Sequence, residues 1–118
     1  MISMEISNVG VDIVNIERFR KKQYNKNKKF YERIFSKSEI QYCLSFKNNS
    51  EHFAGKFAIK EAVKKSIKEN IGFKEILTNH EKSKPQIILK KKLNYRFLVS
   101  VSHEKDYAIA MVIALNDN

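Results

Sequence analysis

Residues 51–69 read EHFAGKFAIKEAVKKSIKE and carry the strongest helical pattern of the 118-residue chain. Apolar side chains recur along one side at helical spacing, at Phe53, Ala54, Phe57, Ala58, Ala62 and Ile67. The small alanines on this side predict close packing against a neighbouring element. The other flank carries a lysine at every fourth position, namely Lys56, Lys60, Lys64 and Lys68. Like charges at this spacing repel one another in an isolated helix, and a bound anion would relieve the repulsion.

A strand pattern precedes this helix near the N-terminus, in residues 6–14. Two sets of residues alternate here, Val9, Val11 and Ile13 against Gly10, Asp12 and Val14. This period of two is typical of a strand with one face packed on a core. Asp12 is the unusual member, because a carboxylate within such a strand is costly unless a positive or hydrogen-bonding group compensates it.

Short helices are predicted between these two segments. Residues 15–33 have helical character, interrupted by a polar turn at residues 24–28 that separates two short helices. Ser36 and Glu39 then match a capping box, which predicts a helix from Ser36 to about Leu44.

The last third of the chain is predicted to consist of strands, at residues 75–79, 86–89, 95–102 and 107–115. Residues 82–85 are expected to form a turn and residues 103–106 a hairpin loop. Residues 107–115 are apolar on both faces, which is typical of a central strand.

The composition indicates one domain over residues 1–118, since the chain is 42% hydrophobic but too short for two ordinary domains. So short a chain offers little concave surface, and we therefore expect a large substrate to be bound at a site shared between subunits. The formal charge of +10 favours anionic partners. Coding bias is an alternative explanation, since 19 of the 23 basic residues are lysine.

The single cysteine, Cys43, excludes an internal disulfide, and its surroundings suggest a small buried hydrophobic residue. The sequence shows neither a signal-peptide pattern nor an apolar run long enough to cross a bilayer. These features predict a soluble protein of the reducing cytoplasm.

Three features together indicate chemistry: Asp12 in an apolar strand, the Lys60-Glu61 pair on the alanine-rich helix, and His103 at a strand end. Mg²⁺ often takes one or two protein carboxylates and completes its shell with water and substrate phosphates. Asp12 and Glu61 are candidates for that pair, with nearby lysines holding the remaining phosphate charge.

Each feature alone also has a structural explanation. Asp12 would serve as a hydrogen-bonding residue at a strand end. Glu61 would pair with Lys65 four residues later on the helix surface. His103 would be an ordinary residue of a hairpin loop. The combination, rather than any single residue, favours a phosphate-binding metal site.

Four blocks of the sequence, in order and at matching spacing, resemble the holo-acyl-carrier-protein synthases, a branch of the 4'-phosphopantetheinyl transferases. The blocks are VGVDIVNIER at 9–18, RIFSKSE at 33–39, FAGKFAIKEA at 53–62 with Lys65 following, and VSVSHEKDYA at 99–108. The resemblance covers nearly the whole chain.

The resemblance implies a fold of the α+β class, with an antiparallel sheet wrapped against a long central helix and shorter N-terminal helices. It implies transfer of the 4'-phosphopantetheine group of coenzyme A to a serine of an apo acyl carrier protein, a step of fatty-acid and lipid biosynthesis, with release of 3',5'-ADP. Asp12 and Glu61 would be the ligands of a Mg²⁺ cofactor, and with Lys65 they would be the catalytic residues.

The resemblance also implies partners. Coenzyme A would lie across an interface of a homotrimer, in contact with Lys56, Lys60, Lys65, Pro85 and His103, the last two coming from the neighbouring subunit. The first helix would bind the acidic carrier protein through Arg18, Lys21 and Lys22.

Two positions depart from the family pattern. Lys56 stands where the family more often has arginine, so a point charge replaces a bidentate fork. At Asn48-Asn49 another arginine would be expected, and Lys47 is the nearest substitute.

A competing hypothesis is nucleic-acid binding without catalysis, because residues 17–33 contain eight Lys or Arg against two Glu. The sequence carries no stacking-aromatic, zinc-finger or helix-turn-helix signature to support it. A catalytically silent scaffold of the same fold is a further alternative, and the presence of Asp12 and Glu61 argues against it.

Overall fold

The structure, a computed structural model, describes residues 5–81 and 84–117. In chain order the elements are β1 (Ile6–Asn15), α1 (Glu17–Arg20), α2 (Lys28–Glu32), α3 (Lys37–Leu44), α4 (Asn49–Ser66), β2 (Ile76–Glu81), β3 (Lys84–Leu89), β4 (Tyr95–Glu104) and β5 (Tyr107–Asn116). Short 3₁₀ turns at Tyr24–Lys26 and Phe73–Glu75 join α1 to α2 and lead into β2. The predicted elements are confirmed, with small differences in their ends.

The strands form two antiparallel sheets. β5 lies between β1 and β4 in a three-stranded sheet, which confirms the central position predicted for residues 107–115. β2 and β3 form a separate pair. Helix α4 packs on the three-stranded sheet and contacts β2 at its flank. The α+β arrangement of an antiparallel sheet against a long helix is therefore as predicted.

The packing of β1 on α4 is close enough to bring backbone against backbone. A Cβ atom added at Gly10 would lie 2.0 Å from the carbonyl oxygen of Ala62 and 3.2 Å from the Cβ of Lys65. Only a residue without a side chain fits at this position. The alanines of α4 on this side are fully buried, as their size predicts.

The face of β1 that packs on α4 is the one with fewer large apolar residues. Gly10 and Val14 are buried there, and Asp12 is half-buried between them. The other face points away from the helix and is exposed in the single chain. Its exposed side chains are Val9, Val11 and Ile13, and Ile109 and Met111 continue them on β5. The apolarity of β5 on both faces therefore does not reflect burial of both faces within one chain.

The N-terminal helices close one end of the core through an aromatic cluster. Phe19 of α1 packs against Tyr31 and Phe35, and all three rings contact Phe53 of α4. Helix α3 begins with the predicted capping box, in which Ser36 Oγ accepts from the Glu39 backbone amide and Glu39 accepts from the Ser36 amide. These contacts fix α3 beside α4.

Smaller differences concern element ends. Helix α4 begins at Asn49 and ends at Ser66, a few residues earlier than predicted at both ends. Within the predicted turn at 82–85, Lys84 and Pro85 belong to β3, while residues 82 and 83 lie outside the described residues. The predicted burial of Cys43 is confirmed, and burial raises the pKa of its thiol to about 12. Among the described residues, no helix has the length and apolarity needed to cross a bilayer.

We predict that Gly10→Ala destabilises the protein by about 3 kcal/mol or more, because the new methyl group overlaps the Ala62 carbonyl and the strand must move off the helix. Urea denaturation followed by circular dichroism measures the change. Gly55→Ala is the matched control: its Cβ would lie 3.5 Å from Val101 Cγ2, and alanine gains about 0.5–1 kcal/mol over glycine within a helix. Equal effects of the two substitutions would contradict the packing argument.

Candidate active site

Asp12 and Lys65 meet at the contact between β1 and α4. Lys65 Nζ donates to Asp12 Oδ1 at 3.0 Å and to the Val11 carbonyl at 3.1 Å. Glu61 lies one helical turn before Lys65, so its side chain is on the same side of α4. The structure therefore places Asp12 and Lys65 together beside the point where Gly10 touches Ala62, and helical spacing puts Glu61 on the Lys65 side of α4.

This arrangement fits a magnesium ion. Mg²⁺ needs only one or two protein carboxylates when water and phosphate oxygens supply the other ligands. Asp12 and Glu61 are both half-buried, and Asp12 already has a cationic partner in the Lys65 ammonium. Because the Lys65 side chain is 53% exposed, it can turn away from Asp12 without losing a buried position. Among residues 5–81 and 84–117, no group of three or more His, Cys, Asp or Glu side chains is arranged to hold a metal ion.

Lys60 does not line an open site, and its predicted contact with coenzyme A is not supported by the structure. Its side chain is fully buried, and Nζ donates to Glu39 Oε1 at 2.7 Å, to Ile34 O at 2.8 Å and to Phe73 O at 3.1 Å. All three donors of the ammonium are thus used inside the protein. The repulsion expected along the lysine flank is relieved at this position by Glu39 rather than by an anionic ligand.

Lys56 is also buried, but it lies at the wall of an open cavity of about 390 Å³. Its ammonium donates to the carbonyl and hydroxyl of Thr78 and lies over the Tyr42 ring, 4.7 Å from the ring centroid. His80 Nδ1 is 3.4 Å away. Burial and the positive charge of Lys56 lower the pKa of His80 to about 4, so the ring is neutral at pH 7 and can accept from the ammonium.

Sequence reasoning did not identify three of the residues around this cavity as parts of a site: Glu39, Thr78 and His80. The sequence pattern identifies Glu39 only as part of the capping box of α3. Its carboxylate also accepts from the backbone amide and hydroxyl of Thr78 at 2.8 and 2.6 Å. Burial alone would raise the pKa of Glu39, but Lys60, Thr78 and the Ser36 amide outweigh this effect and hold it below its usual value. No local pattern joins α3 to β2, so this contact could not be found from the sequence.

His103 lies near the hairpin end of β4 and is far from the carboxylate pair within one chain. Its Nδ1 is 3.8 Å from Glu51 Oε2, in the first turn of α4, and its side chain is half exposed. Ten residues of helix separate Glu51 from Glu61, a rise of about 15 Å. Pro85 lies in β3 opposite His80, beside the Lys56 cavity. The structure thus does not bring His103 to Asp12 and Glu61 within one chain.

The residues predicted to bind a carrier protein lie on and after α1. Arg18, Lys21 and Lys22 are exposed. The Arg18 guanidinium lies 5.0 Å from the centroid of the Phe57 ring, and the Lys22 ammonium 4.5 Å from that of Phe30. These ring contacts restrain two of the three cations, which form a positively charged surface beside the aromatic cluster.

Comparison with known sequences identifies related proteins. The family model of the 4'-phosphopantetheinyl transferase superfamily matches residues 8–112. A protein of Thermodesulfovibrio yellowstonii, named holo-[acyl-carrier-protein] synthase, is 39% identical over 111 residues, which cover 92% of this chain and 97% of that protein. A Chlamydia felis protein of the same name is 39% identical over 121 residues, covering 95% and 99%.

Solved structures show the same fold. The holo-(acyl-carrier-protein) synthase of Bacillus anthracis, in complex with coenzyme A (3',5'-ADP), superposes with a TM-score of 0.82 at 29% identity, covering 97% of this chain and 99% of that one. The Helicobacter pylori holo-[acyl-carrier-protein] synthase, in complex with coenzyme A, gives a TM-score of 0.78 at 35% identity, covering 90% and 98%. These comparisons give no support to the nucleic-acid hypothesis.

Proposed function

The chain belongs to the 4'-phosphopantetheinyl transferase superfamily, and on this premise we propose that it transfers the 4'-phosphopantetheine group of coenzyme A to a serine of an apo acyl carrier protein. The observation that carries the proposal is the position of Asp12 beside Lys65, with Glu61 one turn away on the same side of α4. This juxtaposition offers two carboxylates and a movable cation where a diphosphate would bind.

Asp12 and Glu61 would hold Mg²⁺, which would polarise the phosphorus attached to the pantetheine arm and neutralise charge on the departing 3',5'-ADP. The two side chains come from a strand and a helix whose backbones touch, so their separation is set by rigid elements rather than by loops. Lys65 would leave Asp12 for the phosphate oxygens and stabilise charge that develops during transfer.

The reaction forms a bond between the serine Oγ and phosphorus and breaks the phosphorus–oxygen bond to 3',5'-ADP. The serine proton must leave as this happens. Glu61 takes it, either directly or through a water that its carboxylate holds. Glu61 is only half-buried, so its carboxylate is accessible for this role.

The cavity beside Lys56 is proposed to hold another phosphate of coenzyme A. A buried ammonium behind an open cavity attracts an anion more strongly than an exposed one, because water screens it less. The proposed set of coenzyme A contacts is therefore Lys56, Lys65, Pro85 and His103. Lys60 leaves this set, because its ammonium is bonded to Glu39 and two carbonyls.

We propose a homotrimer whose subunits cover the outer sheet face, defined by Val9, Val11, Ile13, Ile109 and Met111. Their exposed fractions range from 43% to 63%, and a continuous apolar surface of this kind marks a protein interface. Such an assembly would also let His103 of one subunit reach a site built on Asp12 and Glu61 of its neighbour. This supports a shared site, since one chain keeps these groups apart.

The first prediction of the proposed function concerns the carboxylates. Asp12→Ala and Glu61→Ala should each lower the transfer rate by at least about a hundredfold, because each removes a ligand of the metal, while thermal stability changes little. The assay incubates the protein with coenzyme A, Mg²⁺ and apo carrier protein and detects the added phosphopantetheine by mass spectrometry. Asp117→Asn, an exposed carboxylate outside the site, is the control. Normal transfer by either alanine variant would rule out the metal assignment.

The second prediction concerns the shared site. Light scattering should give a mass three times that of the 13.9 kDa chain. Asp12→Ala and His103→Ala should each be weak alone, but an equal mixture of the two, unfolded and refolded together, should recover activity. About one site in four would combine an intact Asp12 with an intact His103 from its neighbour. A mixture no more active than the separate variants would show that the sites are not shared.

The third prediction concerns the carrier-binding surface. Arg18→Glu combined with Lys21→Glu should raise the KM for carrier protein about tenfold or more and leave the KM for coenzyme A nearly unchanged, because the reversed charges repel an acidic protein. The effect should shrink with added salt. Lys92→Glu, also exposed but in the β3–β4 connection, is the matched control. Equal increases in both KM values would place the docking surface elsewhere.

A further inference from the structure

A chain of buried polar contacts leads from Lys56 into the protein interior. Lys56 Nζ donates to the Thr78 hydroxyl at 2.9 Å and to the Thr78 carbonyl at 3.1 Å. The same hydroxyl donates to Glu39 Oε2 at 2.6 Å. Glu39 in turn binds Lys60 through its other oxygen. Lys56, Thr78, Glu39 and Lys60 are each at most 2% exposed, so water does not compete for these bonds.

The direction of these bonds is determined by the chemistry of the groups. A hydroxyl has one proton and two lone pairs, whereas an ammonium only donates and an ionised carboxylate only accepts. Thr78 must therefore give its proton to Glu39 and offer its lone pairs to Lys56. Glu39 thus orients the Thr78 hydroxyl. The hydrogen bond to the Glu39 carboxylate also polarises this hydroxyl and makes its oxygen a stronger acceptor for Lys56.

Thr78 holds two of the three Lys56 donors and leaves one for the cavity. The third donor faces His80 Nδ1 at 3.4 Å, which is the longest of the three contacts and involves a half-buried ring. An anion entering the cavity would replace this weakest contact while the Thr78 contacts keep the ammonium in place. A single lysine, unlike an arginine fork, has no second group to fix its direction, so its orientation depends on such a partner.

We infer that Thr78 is the positioning residue of the phosphate cavity, and that its hydroxyl, oriented by Glu39, fixes the Lys56 ammonium toward the phosphate of coenzyme A. The inference rests on the proposed function for the identity of the ligand. Thr78, a buried residue of β2, thus controls the affinity for coenzyme A without touching the substrate itself. The carrier protein and the rate of group transfer are not affected by this contact.

The test compares Thr78→Val with Thr78→Ser. Valine keeps the shape of threonine and removes the hydroxyl, whereas serine keeps the hydroxyl and removes the methyl group. Thr78→Val should raise the KM for coenzyme A about tenfold, since a hydrogen bond to a charged group is lost. The kcat and the KM for carrier protein should stay within about twofold of wild type. Thr78→Ser should restore the KM for coenzyme A to within about twofold of wild type.

A double-substitution cycle separates positioning from packing. In a Lys56→Met background, adding Thr78→Val should raise the KM for coenzyme A by no more than about twofold, because the group being positioned is absent. An unchanged KM in folded Thr78→Val would overturn the inference. So would a Thr78→Ser variant as weak as Thr78→Val, or a Thr78→Val variant that raises both KM values equally.

Two further measurements keep the outcome interpretable. Thermal unfolding checks that each variant is folded, and Thr78→Cys, whose thiol is a weak acceptor, replaces Thr78→Val with the same expectations if valine prevents folding. Isothermal titration of coenzyme A measures affinity without catalysis. A wild-type protein that makes no holo carrier would refute the proposed function, whereas the calorimetric comparison of wild type with Thr78→Val still decides whether Thr78 governs binding.

Discussion

The contact between the backbone of β1 and helix α4 is the constraint on which the rest of this structure depends. At Gly10 the strand touches the Ala62 carbonyl without room for a single methyl group. This approach leaves no space for a layer of large side chains between strand and helix at this point. Val9, Val11 and Ile13 are consequently on the outward face, and the face with fewer large apolar side chains packs on the helix.

The same contact explains why a carboxylate is tolerated inside β1. Asp12 follows Gly10 by two residues on the packed face, and its carboxylate reaches the edge of α4, where Lys65 compensates its charge. A larger separation of strand and helix would leave the Asp12 carboxylate without the compensating charge of Lys65. The close packing at Gly10 and the position of Asp12 beside Lys65 thus have the same cause, the short distance between β1 and α4.

The local parts of the fold could be predicted from the sequence, because their determinants are local. The capping box of Ser36 and Glu39 needs only residues three positions apart, and the period of α4 needs only its own side chains. The packed face of β1 could not be chosen in this way. Alternation shows that a strand has two faces but does not show which of them packs on a helix elsewhere in the chain. In β1 the more apolar face is the exposed one.

The residue pattern of the sequence points to Asp12 and Glu61, and the resemblance to a family adds Lys65 and the other contacts of the candidate site. Asp12 and Lys65 are in contact, and Glu61 lies one turn before Lys65 on α4, whereas the Lys60 side chain is buried and bonded inside the protein. Spacing alone could not distinguish Lys60 from its neighbours on α4, because the distinction depends on Glu39, which reaches it from α3.

The lysines of α4 therefore differ in their surroundings. Lys60 is neutralised by Glu39 and fixes α3 and the turn before β2 against the long helix. Lys56 is held by Thr78 at the wall of a cavity. Lys65 is exposed and bound to Asp12, which in the proposed reaction it would exchange for a phosphate. Burying the Lys60–Glu39 ion pair costs desolvation energy, and its contribution here is to geometry. Glu39 binds both Lys60 and Thr78, so the contact between α3 and α4 also fixes the orientation of Lys56 at the cavity.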